Sequence, residues 1–476
     1  MSANSFSASL MLAGMDYIAP SEACILPTQM QNAVGSSGSI TRHNSTKEAV
    51  KITLQDCLAC SGCVTTAETI LITSQSRDEL LRERSAEPTR PFLVSISDQS
   101  AASIAAFLGI DIQRTFRLIS GFFRTVLDAR YVVDLRWALR ISAEKTAEEY
   151  CRRMRYERDR LPLIVSACPG WVCYCEKQGS AVLSLLCPVL SPQGIAGSYT
   201  KRIVPGICHV SVQPCFDRKL EAARDVSGDT GERYTDFVLS TQELLEWMLE
   251  QDASLPWAAP LDSYLEPLPP LPPQEADGCL AANMEGSGGY HRLAMHHAAR
   301  ELHNVVISPC DIRYEMKRNI NHQLATSHGN PGEVFCVAYG FQQIQNTVRG
   351  LKRKLSSMTP YTFIELMACP EGCLNGGGQA RGNTDVSRGE VQSAVKEAFK
   401  SYLRGGVLSE AQPEELGVGL SKKDPVPGKA LPVFSVTAFA QLEREVGASL
   451  WSCTFKDRQR EFEATLNNGG VHSLRW

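Results

Sequence analysis

From Pro91 onward, short β-branched or apolar runs alternate with longer amphipathic stretches, and this alternation narrows the fold more than any other feature of the chain. The runs are FLVSIS, YVVDL, PLIVSAC, HVSVQPC, TDFVLST, NVVISPC, EVFCVAYG and YTFIELMAC, eight candidate strands. Between them lie segments such as FQQIQNTVRGLKRKL, in which Ile344, Val348, Leu351 and Leu355 recur at helical spacing while the basic residues take the other face. Such alternation predicts an α/β fold, with a largely parallel sheet covered by helices. A Pro/Gly-rich stretch, 253–289, follows five of the candidate strands and precedes three, so two lobes joined across it are expected. The predicted organisation is an N-terminal region 1–90, a first lobe 91–252, the connection 253–289, a second lobe 290–445 and a tail 446–476. PLPPLPP inside the connection reads as a semi-rigid spacer rather than an SH3 ligand.

The 476 residues carry a net charge of −4, which argues against nucleic acid or an anionic membrane as the main partner. No stretch approaches the roughly 18–20 apolar residues of a membrane-spanning helix. The first basic residue is Arg42, so the N-terminus lacks the charge pattern of a secretory or mitochondrial leader. The expected compartment is the cytosol, with access to the nucleus. There the seventeen cysteines stay reduced, and a disulfide framework is not expected.

The cysteines fall into two groups that packing does not explain. CLACSGC sets Cys57, Cys60 and Cys63 in C-x2-C-x2-C spacing, three thiolates able to wrap one side of an iron–sulfur cube. Ala67 and Glu68 stand where a bacterial ferredoxin continues with Cys and Pro, so a fourth thiolate must come from elsewhere. Cys24 is the only other cysteine before residue 151. A structural zinc site is the alternative, although zinc sites usually build from two C-x2-C pairs. The second group shares a position. Cys168, Cys215 and Cys369 each follow a candidate strand, and in open α/β sheets ligands gather beyond the carboxyl ends of the strands. Cys373 adds a fourth thiol just beyond, followed by Gly376, Gly377 and Gly378, which would let main-chain amides approach cluster sulfurs. Gly286, Gly288 and Gly289 are candidates for a second approach of that kind.

SACPGW, PCFDRKLEA, GSGGY and MACPEGCLNGGGQ together resemble the signatures of iron-only hydrogenases, and more closely those of the Nar-type factors of cytosolic iron–sulfur protein assembly. The resemblance runs from about residue 15 to 445. It implies a two-lobed hydrogenase-like fold with a small N-terminal cluster region and two [4Fe–4S] clusters. Cys24, Cys57, Cys60 and Cys63 would hold one, and Cys168, Cys215, Cys369 and Cys373 the other. It also implies a non-catalytic carrier or adaptor between upstream scaffold proteins and a targeting complex, with the terminal Trp476 helping to dock. An electron-transfer or redox-sensing protein is the alternative. Hydrogen chemistry is disfavoured, because hydrogenases place a proton-relaying cysteine where this chain has Ala167 and a lysine where it has Arg218. The segment after residue 445 matches the family poorly. His291, His296 and His297 are expected on a partly solvated helix face, and the remaining cysteines as ordinary core or surface thiols.

Overall fold

The structure, a computed structural model, describes residues 72, 74–224, 231–251, 258–263, 289–317, 319–358, 360–381, 388–404 and 433–467. Cys24, Cys57, Cys60, Cys63, Cys279, Gly286, Gly288 and Trp476 lie outside the described residues.

Nine strands form two sheets among these residues. The first is wholly parallel, in the order β2 (Tyr131–Asp134), β1 (Phe92–Ile96), β4 (Cys208–Gln213), β5 (Phe237–Ser240). Val94 lies between Val132 and Val210. Every residue of β1 and β4 is buried, as expected when helices cover both faces. The second sheet runs β3 (Leu163–Ile164), β9 (Tyr361–Met367), β8 (Val334–Tyr339), β7 (His322–Ser327), β6 (Ile312–Met316). Here β3, β9 and β8 are parallel, while β8, β7 and β6 form an antiparallel meander.

The helices are α1 (Arg77–Ala86), α2 (Asp98–Leu108), α3 (Ile112–Val126), α4 (Arg136–Tyr156), α5 (Pro169–Gln178), α6 (Pro192–Ile203), α7 (Asp217–Arg224), α8 (Thr241–Glu250), α9 (Tyr290–His303), α10 (Phe341–Lys352), α11 (Arg388–Arg404), α12 (Val436–Val446) and α13 (Arg458–Asn467). Local chemistry fixes several of their ends. Ser97 caps α2 by accepting from Ser100 N–H, and Gly109 ends it in the left-handed region at φ 66°. Ser240 and Glu243 form a reciprocal capping box on α8. No helix among the described residues is long and apolar enough to cross a membrane.

Two expectations need correction. NVVIS is not a strand: Asn304, at φ 56°, ends α9, and the chain then runs without regular structure past an exposed Val306. The hairpin β6–β7 takes the place of that strand. The sheets also do not separate along the chain at the connection, because β3 from the first half pairs with β9, Ile164 lying opposite Ile364.

Candidate metal centre

The segments beyond the carboxyl ends of three strands, one from the first sheet and two from the second, come together. β4 delivers Cys215 two residues beyond its end, and β9 delivers Cys369 in the same way. β3 leads into Cys168, which precedes α5. Extending the β3–β9 register by four residues sets Cys168 against Ala368, whose N–H donates to Cys168 Sγ at 3.3 Å. After Cys369, Glu371 and Gly372 take positive φ values of 57° and 92°, turning the chain into the short 3-10 segment that begins at Cys373.

The structure therefore brings together all four thiols of the second group. Cys168 and Cys369 are buried, and Cys215 and Cys373 are partly so. Burial pushes the Cys168 thiol up to about 12, and the nearby Cys373 adds to this. The Cys369 thiol is raised well above its usual range, first by burial and then by Cys215, Cys373 and Cys168. Cys215 is raised in the same sense by burial, then by Asp217, Cys373 and Cys168, while Arg218 opposes. Each of these three thiols is thus an electrostatic neighbour of the rest.

The glycines act differently from expectation. A Cβ on Gly376 would lie 2.3 Å from Pro214 O, and one on Gly378 would lie 3.2 Å from Cys215 Cα. Gly378 N–H donates to Pro214 O at 2.9 Å, and Gly376 N–H donates to Cys373 O at 3.0 Å. These amides serve main-chain acceptors. The missing side chains let the Cys373 segment close directly onto the Cys215 loop. Gly170 plays a parallel part, because a Cβ there would meet Asp217 Oδ2 at 3.0 Å and Ala368 Cβ at 3.2 Å. Gly289, at φ 58°, simply opens α9.

Arg218 is the buried cation of the site. Its Nη1 pairs with Glu221 Oε2 at 2.6 Å and its Nη2 donates to Ala167 O at 3.0 Å. Burial works against its charge, but Glu221, Cys215 and Cys373 together hold it more firmly protonated than usual. Lys219 is also buried, bonding Glu243 Oε1 at 2.7 Å and Gln75 O at 3.1 Å. These two residues are built into the core rather than offered to a partner.

A cavity of about 40 Å³ adjoins Cys373, walled in part by Asp98, Arg136, Ala167, Gln193 and Arg218. Asp98 is pushed up to about 7, chiefly by burial, with Arg136 pulling down and Asp134 pushing up. Gln193 donates to Arg218 O at 3.2 Å and leaves its own buried Oε1 without a hydrogen-bond partner. Sequence reasoning singled out neither Asp98 nor Gln193, since single polar residues at helix starts carry no pattern. His291 also departs from expectation: it is buried, with Nδ1 at 2.6 Å from Glu365 Oε2 and Nε2 at 2.9 Å from Tyr314 OH.

The donor set of four soft thiols suits an iron–sulfur cube. Among the described residues, no three His, Cys, Asp or Glu side chains surround a point that a single metal ion could take. An iron–sulfur cube binds each thiolate through a different iron.

The profile described as "Iron only hydrogenase large subunit, C-terminal domain" matches residues 90–377. The chain is 37% identical to the cytosolic iron-sulfur assembly component 3 of Pongo abelii, over 87% of this chain and 92% of that one. It is likewise 37% identical to the cytosolic Fe-S cluster assembly factor narfl of Xenopus tropicalis, over 82% and 88%. An apo FeFe-hydrogenase of Chlamydomonas reinhardtii shares the fold, with a TM-score of 0.55 and 18% identity over 79% of this chain and 99% of that one. The chain belongs to the Nar-type family of cytosolic iron–sulfur assembly factors, built on the fold of the iron-only hydrogenase large subunit.

Proposed function

We propose that this protein is a non-catalytic iron–sulfur carrier or adaptor of the cytosolic assembly machinery, acting between upstream scaffold proteins and a targeting complex. In this reading it works in the cytosol, with access to the nucleus, and holds two [4Fe–4S] clusters. Cys168, Cys215, Cys369 and Cys373 hold the second. Cys24, Cys57, Cys60 and Cys63 hold the first, within the region 1–90, and Trp476 helps to dock the targeting complex.

The observation that carries the reading is the convergence of four soft thiols from three strand ends beside a buried guanidinium. Four bound thiolates give a cluster net negative charge, which Arg218 offsets in a site that excludes most water. The relatives' names point to assembly rather than to hydrogen chemistry. Two residues agree with that choice. Ala167 offers no proton-carrying group, and Arg218 holds its fork against Glu221 and a carbonyl.

Anaerobic iron and sulfide quantitation with EPR tests the proposal. Wild type should bind about eight irons, and Cys57→Ala and Cys369→Ala should each retain about four. Zinc at the first site, or colourless wild-type protein without inorganic sulfide, overturns it. Transfer of labelled iron to an apo-acceptor separates a carrier from a redox relay, which would cycle electrons without losing iron.

A further inference from the structure

The segment after residue 445 is docked on the thiol-bearing body of the protein. Trp451 O accepts from Leu190 N–H at 2.8 Å, and Cys453 N–H donates to Pro188 O at 3.0 Å. Trp451 and Phe455 pack against the core that contains Cys168 and Met367. Lys145 Nζ lies 5.6 Å from the Trp451 ring centre, and Trp451 Nε1 donates to Glu443 Oε1 at 2.7 Å. Asp457 accepts from Ser180 Oγ at 2.6 Å and, at the start of α13, from Arg460 N–H at 3.1 Å.

At the centre of this contact lies Glu176, only 1% exposed. Its Oε1 accepts from Lys456 N–H at 2.9 Å and from Arg224 Nη1 at 3.2 Å. Its Oε2 lies 3.6 Å from Arg458 Nε and has no hydrogen-bond partner. A carboxylate buried this deeply is tolerated only where cations and donors surround it. Its three partners come from two places. Lys456 and Arg458 belong to the C-terminal arm. Arg224 ends α7, which starts two residues after Cys215, and Glu176 itself lies in α5, which starts directly after Cys168.

We infer that Glu176 is a positioning residue that ties the C-terminal arm to the two helices behind Cys168 and Cys215, so that undocking the arm loosens that half of the thiol cradle. This rests on the four-thiol reading above and extends it: a partner that pulls on the arm would alter how firmly the protein keeps its cargo. The linkage is mechanical. Helices are stiff over their length, and a shift at Glu176 moves two strand-end loops that face each other across the site.

The test uses full-length protein in a Cys57→Ala background, so that bound iron reports the second site. Iron release to an excess of a ferrous chelator is followed anaerobically, together with hydrogen exchange over residues 451–467 and the EPR line shape. Glu176→Gln should speed both arm exchange and iron release, the latter about three- to tenfold. Glu176→Asp, which keeps the charge, should restore most of the slow release. Arg458→Ala, on a side chain 34% exposed, provides a milder variant should the buried change impair folding, and should act in the same direction. A freed arm with unchanged iron release and EPR overturns the inference, as does an arm that stays protected in both variants. Absence of iron from the Cys57→Ala parent sinks the four-thiol reading itself, a result distinct from either.

Discussion

The two sheets bury a histidine each, and they treat it in opposite ways. In the parallel sheet His209 is fully buried on β4 with its ring on neutral partners, Nδ1 at 3.0 Å from Tyr234 O and Nε2 at 2.9 Å from Ser95 Oγ, while its backbone N–H donates to Asp236 Oδ2 at 2.7 Å. Burial lowers it to about 4, so it stays neutral. Against the mixed sheet, His291 meets a fully buried carboxylate. Burial works against the charge of Glu365, yet the contacts of His291 and Tyr339 hold it below the usual carboxylate range. Tyr339 OH donates to Glu365 Oε1 at 2.8 Å, completing the set. The parallel sheet thus keeps a neutral imidazole on the strand that leads to Cys215. The mixed sheet holds an ionised acid four residues before Cys369, where the chain must turn sharply and keep its place. Polar groups in the first are passengers of packing, whereas those in the second fix a strand end.

The contrast can be broken from its strongest side. Glu365→Ala leaves His291 and Tyr339 without their acceptor, and loss of one partner from such a buried set costs about 3–5 kcal/mol. Urea unfolding should show this as a lower midpoint with an unchanged slope, and a cost under 1 kcal/mol would place Glu365 with the passengers. His209 gives the next effect. Its folded pKa lies below the unfolded value, so the unfolded chain takes up the proton first as pH falls. Stability is therefore full above about 6.5 and declines toward about 4, by about 3 kcal/mol from this residue. His209→Asn should flatten that acid limb, as measured by unfolding between pH 7 and 4. The smallest effect belongs to the seam between the sheets. Gly376→Ala forces a methyl onto Pro214 O, at about 1–3 kcal/mol, and should lower iron content at the second site more than it lowers the unfolding midpoint.

The parallel core was legible because FLVSI is almost wholly apolar and HVSVQ alternates valine with polar residues, and both patterns read as strands whatever their order. The hairpin was not. IRYEM alternates Ile312, Tyr314 and Met316 with Arg313 and Glu315 but is a single short run that buries only Ile312, while the β-branched run in NVVIS mimicked a strand it does not form. In the site, the shared strand-end position of Cys168, Cys215 and Cys369 pointed to one place. Sequence could not tell that β3 would leave its neighbours for the second sheet, because two residues carry no register. The glycine run was visible too, but whether an amide faces a ligand or a carbonyl depends on the opposing Pro214. Glu176 was invisible, since its partners lie in α7 and in the arm beyond residue 450.

The pairing of β3 with β9 also orders events in time. A two-residue strand whose sheet partner lies 200 positions downstream has only the single bridge from Ile164 to Leu186 while the first half of the chain emerges from the ribosome. Cys168 and Cys215 are made early, but the wall that shields them arrives only with Tyr361–Met367. On the proposed four-thiol reading, loading during synthesis would meet an open, half-built vessel, and filling would wait for the finished chain.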